Sequence, residues 1–237
     1  MPTILNDLLN LFFPRLCLLC HAPLVEGEAH ICLECLYNLP RTRFADYTDN
    51  AVAQLFIGKI PFQSATAPFY FEKGGRMQTI IHTLKYHDNK ELGYYLGRLA
   101  AQELIQKEKQ FFTPKEGTPV DILLPIPLHP HKQRKRGYNQ AEWIARGISS
   151  VRNLPIDTTS VRRMKENETQ TDKQLYERWE NVQDIFSLAD PYTLQGKHVL
   201  LVDDVITSGS TIISCVETLL KIEDIQISIV GIAVTQH

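Results

Sequence analysis

Two adjacent carboxylates, Asp203 and Asp204, close the apolar run Val199 to Val202 in the stretch VLLVDDVITSGST, and a loop of small residues, Thr207, Ser208, Gly209, Ser210 and Thr211, follows them. Where such a loop leads into a helix, its amides and hydroxyls can surround a phosphate at the helix amino terminus. Glycine permits close approach of the backbone. The carboxylates would repel that anion, but they can accept hydrogen bonds from a vicinal diol further along the same ligand. A ribose 5-phosphate satisfies both halves. The alternative is a solvated acidic strand end followed by a Ser/Thr-rich helix cap, which explains each part but not their order. The loop has no lysine and no GxxxxGK, and GxGxxG is absent, so neither a nucleotide P-loop nor a dinucleotide turn is present.

Four of the five cysteines form two pairs, Cys17 with Cys20 and Cys32 with Cys35. Two CxxC knuckles at this spacing can close a tetrahedral sulfur cage around Zn²⁺. With four thiolates the shell is complete and leaves no position for water, so the expected role is structural. Two disulfides are the alternative, disfavoured in a reducing compartment. His21 and His30 flank the cage as spectators, and Cys215 stands apart in a later helical pattern as a packed thiol.

The basic stretch HKQRKR from His131 to Arg136 admits three readings: cations for a polyanionic ligand, a solvated basic turn, or a nucleic-acid patch. Asn139 and Gln140 behind it fit a helix cap as well as a ligand contact. The polar stretch 162–181 lacks apolar spacing until Leu175 and reads as a loop. Within it Lys165 and Gln170 could close over a site, or simply belong to a mobile surface segment.

The elements that must hold these residues follow from apolar periodicity. ATAPFYFE alternates as a strand, Met77, Ile80, Ile81 and Leu84 repeat as a helix, and a second helix spans 91–106. VDILLPIPL is a buried strand with a helix after it at about 139–150, and HVLLVDD, IISCVETLLK and IQISIVGIAV complete a strand, helix and strand. The pattern predicts an α/β fold whose mainly parallel sheet is flanked by helices, with ligands beyond the carboxyl ends of the strands. Residues 1–50 are expected to form an amino-terminal helix, carrying Ile4, Leu5, Leu8, Leu9 and Phe12 on one face, and the zinc finger. Residues 60–237 are expected to form the main domain.

The 237 residues carry 25 basic and 27 acidic side chains, a formal charge of -2, so no global field draws the chain to nucleic acid or to an anionic membrane. The run Leu8 to Cys20 is broken by Pro14 and Arg15 and is too short to span a bilayer. The chain is therefore expected to be cytoplasmic, without membrane insertion.

VLLVDDVITSGST resembles the phosphoribosyl-pyrophosphate motif of type I phosphoribosyltransferases. PIPLHPHKQRKRGYNQA at 125–141, LKY at 84–86, and Gln170 followed by Arg178, Asn181, Val182 and Phe186 are similar to the ComF family, whose members also carry an amino-terminal four-cysteine finger. Asn167 departs from the threonine expected there. The resemblance implies binding of phosphoribosyl pyrophosphate with Mg²⁺, and transfer of its sugar to an acceptor. It places Asp203, Asp204 and Lys165 at the chemistry, Thr207 to Thr211 on the 5-phosphate, and Arg136, Gly137 and Lys85 on the pyrophosphate. It also implies a competing role, an accessory factor in DNA uptake without turnover that contacts single-stranded DNA or the competence machinery.

Overall fold

The computed structural model describes residues 13–86, 89–106, 111–112, 118–165 and 185–236. The helix expected around residues 4–12 lies outside them.

Strands β1 (Ser64–Thr66), β2 (Phe69–Phe71), β3 (Ile122–Pro125), β6 (His198–Ile206) and β7 (Gln226–Thr235) form one sheet in the order β1-β7-β6-β3, with β2 also on β7. Every pairing in it is parallel. A short antiparallel ribbon joins β4 (Val161–Arg163) to β5 (Phe186–Leu188). Among the described residues the α-helices are α1 (Leu33–Tyr37), α2 (Arg76–Tyr86), α3 (Lys90–Gln106), α4 (Pro130–Arg136), α5 (Gln140–Arg152) and α6 (Ser210–Leu219).

The sheet is buried on both faces because the middles of its central strands, Val199 to Val202 and Ile229 to Val234, carry no polar side chain on either face. Val199 and Leu201 of β6 join one core, with Ile212, Val216 and Leu219 of α6 and Phe186 of β5. Leu200 and Val202 point the other way, into a core shared with Met77, Ile80, Leu96, Ile144 and Ile148. Cys17, Ile31, Cys35 and Leu39 belong to that second core, so the cysteine segment packs on the helical layer of the main body. Val52, Ala53 and Phe56, between the two expected domains, are fully buried in the first core.

Two local readings are corrected and one is extended. ATAPFYFE is two strands, because Pro68 offers no N–H, and both strands pair with β7 in successive registers. Strand β6 includes both aspartates, as HVLLVDD suggested, and runs two residues further to Ile206, with Asp203 opposite Gly231 and Val205 opposite Ala233. Arg162 and Arg163 are strand rather than loop, paired to Ser187 and Phe186.

Helices α3 and α5 make the closest contact between helices. A Cβ on Gly97 would lie 2.0 Å from the Ile144 carbonyl oxygen, and one on Gly147 would lie 2.1 Å from that of Tyr94. Only glycine at both crossings allows this approach.

Candidate active site

Asp203 and Asp204 line a cleft of about 410 Å³ beside the carboxyl ends of β3 and β6. The Asp204 amide donates to Asp203 Oδ1 at 2.8 Å, and the Val205 amide donates to Asp204 Oδ1 at 2.7 Å. Lys85 Nζ stands 2.9 Å from Asp204 Oδ2. Burial pushes the Asp203 carboxyl up to about 7, and the neighbouring Asp204 charge pushes the same way. The Asp204 amide, Lys85 and Arg163 oppose that rise without overcoming it.

The small-residue loop folds as a tight turn into α6. Gly209 is the residue ahead of that helix and has φ 75°, a left-handed conformation. A Cβ here would lie 2.7 Å from the Phe56 ring, so this protein's own packing demands glycine before any ligand does. Thr207 and Thr211 line the cleft. Ser208, Gly209 and Ser210 are not among its lining side chains, and the Ser208 and Ser210 hydroxyls lie 3.1 Å apart. The helix amino terminus nevertheless presents its amides and the positive end of its dipole at this point.

The opposite wall is basic. Arg136 lines the cleft, its guanidinium donating from Nη1 to Gln140 Oε1 at 2.8 Å and lying 6.0 Å from the Tyr86 ring centre. It does not directly follow strand β3. Helix α4 intervenes, started by Pro130 and by the His129 ring, whose Nδ1 accepts from the His131 amide at 3.3 Å. Gly137 ends that helix in the left-handed conformation, φ 79°, and lies outside the lining. The buried Tyr138 hydroxyl donates to the Leu84 carbonyl and so ties the segment after Arg136 to the end of α2, next to Lys85. Asn139 caps α5 by accepting from the Ala141 amide at 3.1 Å, and it also lines the cleft. Both of its sequence readings therefore fit one placement.

Arg163 is a lining residue that sequence reasoning missed. It is 9% exposed, lines the cleft, lies 5.4 Å from the Phe186 ring centre, and donates from Nε to the Lys165 carbonyl at 3.2 Å. Gln78, His82 and Tyr86, on the face of α2 that also carries Lys85, complete the wall unannounced. Lys165 itself is not a lining residue, and Gln170 falls outside the described residues.

The four cysteines converge away from the cleft. Their sulfurs lie within 4.8 Å of one another, with Cys20 and Cys32 at 3.7 Å. Tetrahedral thiolates at the ~2.3 Å bond length of zinc would be separated by roughly 3.8 Å, so the cluster has the dimensions of a metal cage. None of the five cysteines is disulfide-bonded. Burial opposes ionisation of Cys17, but the amides of Cys20, Cys32 and Leu19 outweigh it and bring that thiol down to about 6. The Cys32 amide donates to Cys17 Sγ at 3.4 Å, the interaction a metal-bound thiolate uses. His30 packs edge-on against Tyr95 and is no part of the cluster. Cys215 is fully buried, which pushes its thiol up to about 12.

Residues 134–236 match the family model for the phosphoribosyl transferase domain. The chain is 27% identical over 223 residues to the DNA utilization protein YhgH of Shigella flexneri, covering 88% of this chain and 92% of that protein. Against the protein of the same name from Salmonella typhi it is 27% identical over 146 residues, 61% of each chain. It is 37% identical over 114 residues to Competence protein F of Haemophilus influenzae, 45% of this chain and 48% of that one. A solved structure described as the allosteric regulatory enzyme of purine biosynthesis aligns with a TM-score of 0.36 at 18% identity, covering 58% of this chain and 25% of the other.

Proposed function

The chain belongs to the ComF family, with a phosphoribosyltransferase-type domain behind a four-cysteine cluster, and from that premise we propose that its cleft binds phosphoribosyl pyrophosphate and transfers the phosphoribosyl group to an acceptor. The observation that carries this reading is the convergence on one cleft of a carboxylate pair, a helix amino terminus and a basic wall. The 5-phosphate sits at the start of α6, within reach of the Thr207 and Thr211 hydroxyls. Asp203 and Asp204 accept from the ribose hydroxyls. Lys85 and Arg136 face the pyrophosphate, so that Lys85 exchanges part of its pairing with Asp204 for phosphate oxygens when the ligand arrives.

Transfer breaks the bond between C1 and the pyrophosphate oxygen, and the electron pair leaves with pyrophosphate. The sugar passes through an oxocarbenium-like state that the two carboxylates stabilise from the diol side. The acceptor's lone pair then forms the new bond to C1 and the acceptor loses a proton. Mg²⁺ fits this site through the substrate's phosphates and hydroxyls, with Asp203 and Asp204 as the carboxylates of the lining that would support it, and its chemistry would be neutralisation of the leaving group. Zn²⁺ is the metal proposed for Cys17, Cys20, Cys32 and Cys35, as a structural ion that fixes the cysteine segment to the helical layer. Lys165 is proposed to act from the edge of the cleft.

Incubating the protein with Mg²⁺, phosphoribosyl pyrophosphate and a panel of nitrogenous bases, with pyrophosphate release as readout, tests the transferase reading. Release that depends on one acceptor is expected. The names of the relatives favour a second reading, a phosphoribosyl-pyrophosphate-binding factor in DNA utilisation. On α4, Arg134 and Lys135 are exposed and face away from the cleft lining, a surface fitted to a strand backbone. Tight ligand binding without release for any acceptor, together with retention of single-stranded DNA that Arg134→Ala abolishes, would favour this second reading.

A further inference from the structure

A second cavity, about 690 Å³, lies on the cysteine side of the helical layer. Gly27, Ala29 and His30 from the segment between Cys20 and Cys32, with Leu36 of α1, form one side of it. Tyr94, Tyr95, Arg98, Leu99 and Gln102 of α3, with Trp143 of α5, form the other. Its volume is in the range that takes a small molecule, and it shares no lining residue with the cleft.

Its chemistry is aromatic. Tyr94, Tyr95, Trp143 and His30 are all half-buried and line the cavity, and the Arg146 guanidinium lies 5.1 Å from the Trp143 ring centre, leaving the other face of that ring for a ligand. The His30 and Tyr95 rings meet edge to face at 5.5 Å, which fixes both orientations. The aromatic wall of α3 and α5 is rigid, because Gly97 and Gly147 bring the two helix backbones into contact and Gly93 would meet Trp143 Cβ at 2.9 Å with any side chain. A rigid wall of rings favours a planar partner, since little side-chain freedom is lost on stacking.

Charge narrows the class. One guanidinium, Arg98, and one carboxylate, Glu91, stand in the lining and balance each other. The nearby Arg146 is held by Glu142 at 2.7 Å, and Glu28 is engaged by the amides of Val25 and Leu33. The cavity therefore lacks the excess positive charge that a polyphosphate or a nucleic-acid backbone requires. Arg98, Glu91 and the Gln102 amide supply donors and acceptors at the edge of a stacked ring.

We propose that this cavity is a second ligand site, separate from the cleft, for an uncharged planar heteroaromatic molecule of nucleobase or nucleoside size. The ring stacks on Tyr95 and Trp143, and Gln102 and Arg98 read its polar edge.

The test uses full-length, metal-loaded protein carrying Trp179→Phe, so that fluorescence reports Trp143 alone, with adenosine and uridine as probes and calorimetry alongside. Saturable quenching by at least one nucleoside is expected, weakened roughly ten-fold or more by Tyr95→Leu and unchanged by Asp203→Asn with Asp204→Asn. Circular dichroism and zinc content check that Tyr95→Leu folds, and Gln102→Ala, an exposed change, should weaken binding as a second probe of the cavity. Three outcomes overturn the proposal: no binding of either probe at millimolar concentration, binding lost in the aspartate variant but kept in Tyr95→Leu, or a Tyr95-dependent affinity for a single-stranded oligonucleotide without one for nucleosides.

Discussion

Replacing Asp203 with asparagine should make the empty protein more stable while making it a worse binder. A carboxyl that burial raises from its ordinary 3.8 to about 7 favours the protonated form in the folded state. Its stabilising contribution is fully present below pH 3.8, declines as the pH rises, and is gone above about 7. Keeping the side chain ionised at pH 8 thus costs the fold at most about 4 kcal/mol relative to the unfolded chain. The asparagine amide must itself lose water in the cleft, which offsets part of the gain from losing the charge and leaves a net of roughly 2 kcal/mol. Asparagine avoids the cost and can still accept from the Asp204 amide through Oδ1, as the carboxylate does at 2.8 Å. In a chain of this size roughly 2 kcal/mol corresponds to a rise in Tm of about 4–8 °C. Thermal unfolding without ligand should show that rise at pH 8, shrinking by about half or more at pH 5, where the wild-type carboxyl is mostly protonated. Binding should move the other way, since exchanging charged for neutral hydrogen bonds to the diol costs about 1 kcal/mol, some five-fold in affinity at pH 8. A variant less stable than wild type at pH 8, or a stability gap that does not change between pH 5 and pH 8, would refute the reasoning.

The remaining expectations concern the groups around that carboxylate and the cysteine cluster. Arg163→Gln removes a cation that holds the Asp203 carboxyl down, so the pH midpoint for phosphoribosyl pyrophosphate binding should move upward from about 7, read by calorimetry between pH 6 and 9; an unmoved midpoint would assign Arg163 to the fold alone. Arg136→Ala should weaken pyrophosphate-bearing ligands ten-fold or more, the worth of ~1.5–3 kcal/mol for a charge-assisted hydrogen bond, and leave ribose 5-phosphate affinity nearly unchanged, whereas equal losses would place the arginine elsewhere. Gly209→Val should abolish phosphate binding and lower Tm, because the new side chain meets Phe56 and the φ of 75° disfavours it; Ser208→Ala, which disturbs neither, should lower affinity only a few-fold. Cys17→Ser with Cys32→Ser should lose one zinc per chain by elemental analysis, and unchanged zinc content would dismiss the cage.

The sheet and most of its helices were legible because their signals are local. VLLV and IVGIAV are runs without a polar side chain, as the middles of strands buried on both faces must be, and α2, α3 and α5 repeat their apolar residues at helical spacing. The four cysteines and the order of DDVITSGST were legible for the same reason. Helix α4 was hidden because PHKQRKR has no apolar stripe; it forms from its ends, Pro130 at the start and Gly137 at the stop. Arg163 was hidden more deeply. Within its own surroundings it is the second of two adjacent arginines that open a polar stretch, and what packs against it is Phe186, more than twenty positions later. Pairing between β4 and β5 brings the two together, and no periodicity announces a three-residue ribbon.

The two halves of the cleft are built on different physical grounds, and this governs how each responds to change. The proposed phosphate end is backbone: the start of α6 supplies amide donors and the positive end of a helix dipole, which no side-chain substitution removes unless it distorts the turn at Gly209. The proposed pyrophosphate end is side chain: Lys85 and Arg136 occupy the last turns of α2 and α4, where helix dipoles favour cations. One helix thus points its amino terminus at the cleft while two others bring their carboxyl-terminal cations to it, and the buried carboxylate pair lies among all three. Such a constellation suits the proposed ligand, elongated with anionic groups at both ends and hydroxyls in the middle, and would fix its direction. On the proposed reading, a molecule with one anionic end would satisfy only half of the cleft and leave Lys85 on Asp204, so engagement of the second end by Lys85 and Arg136 would be what frees Asp204 to hold the sugar.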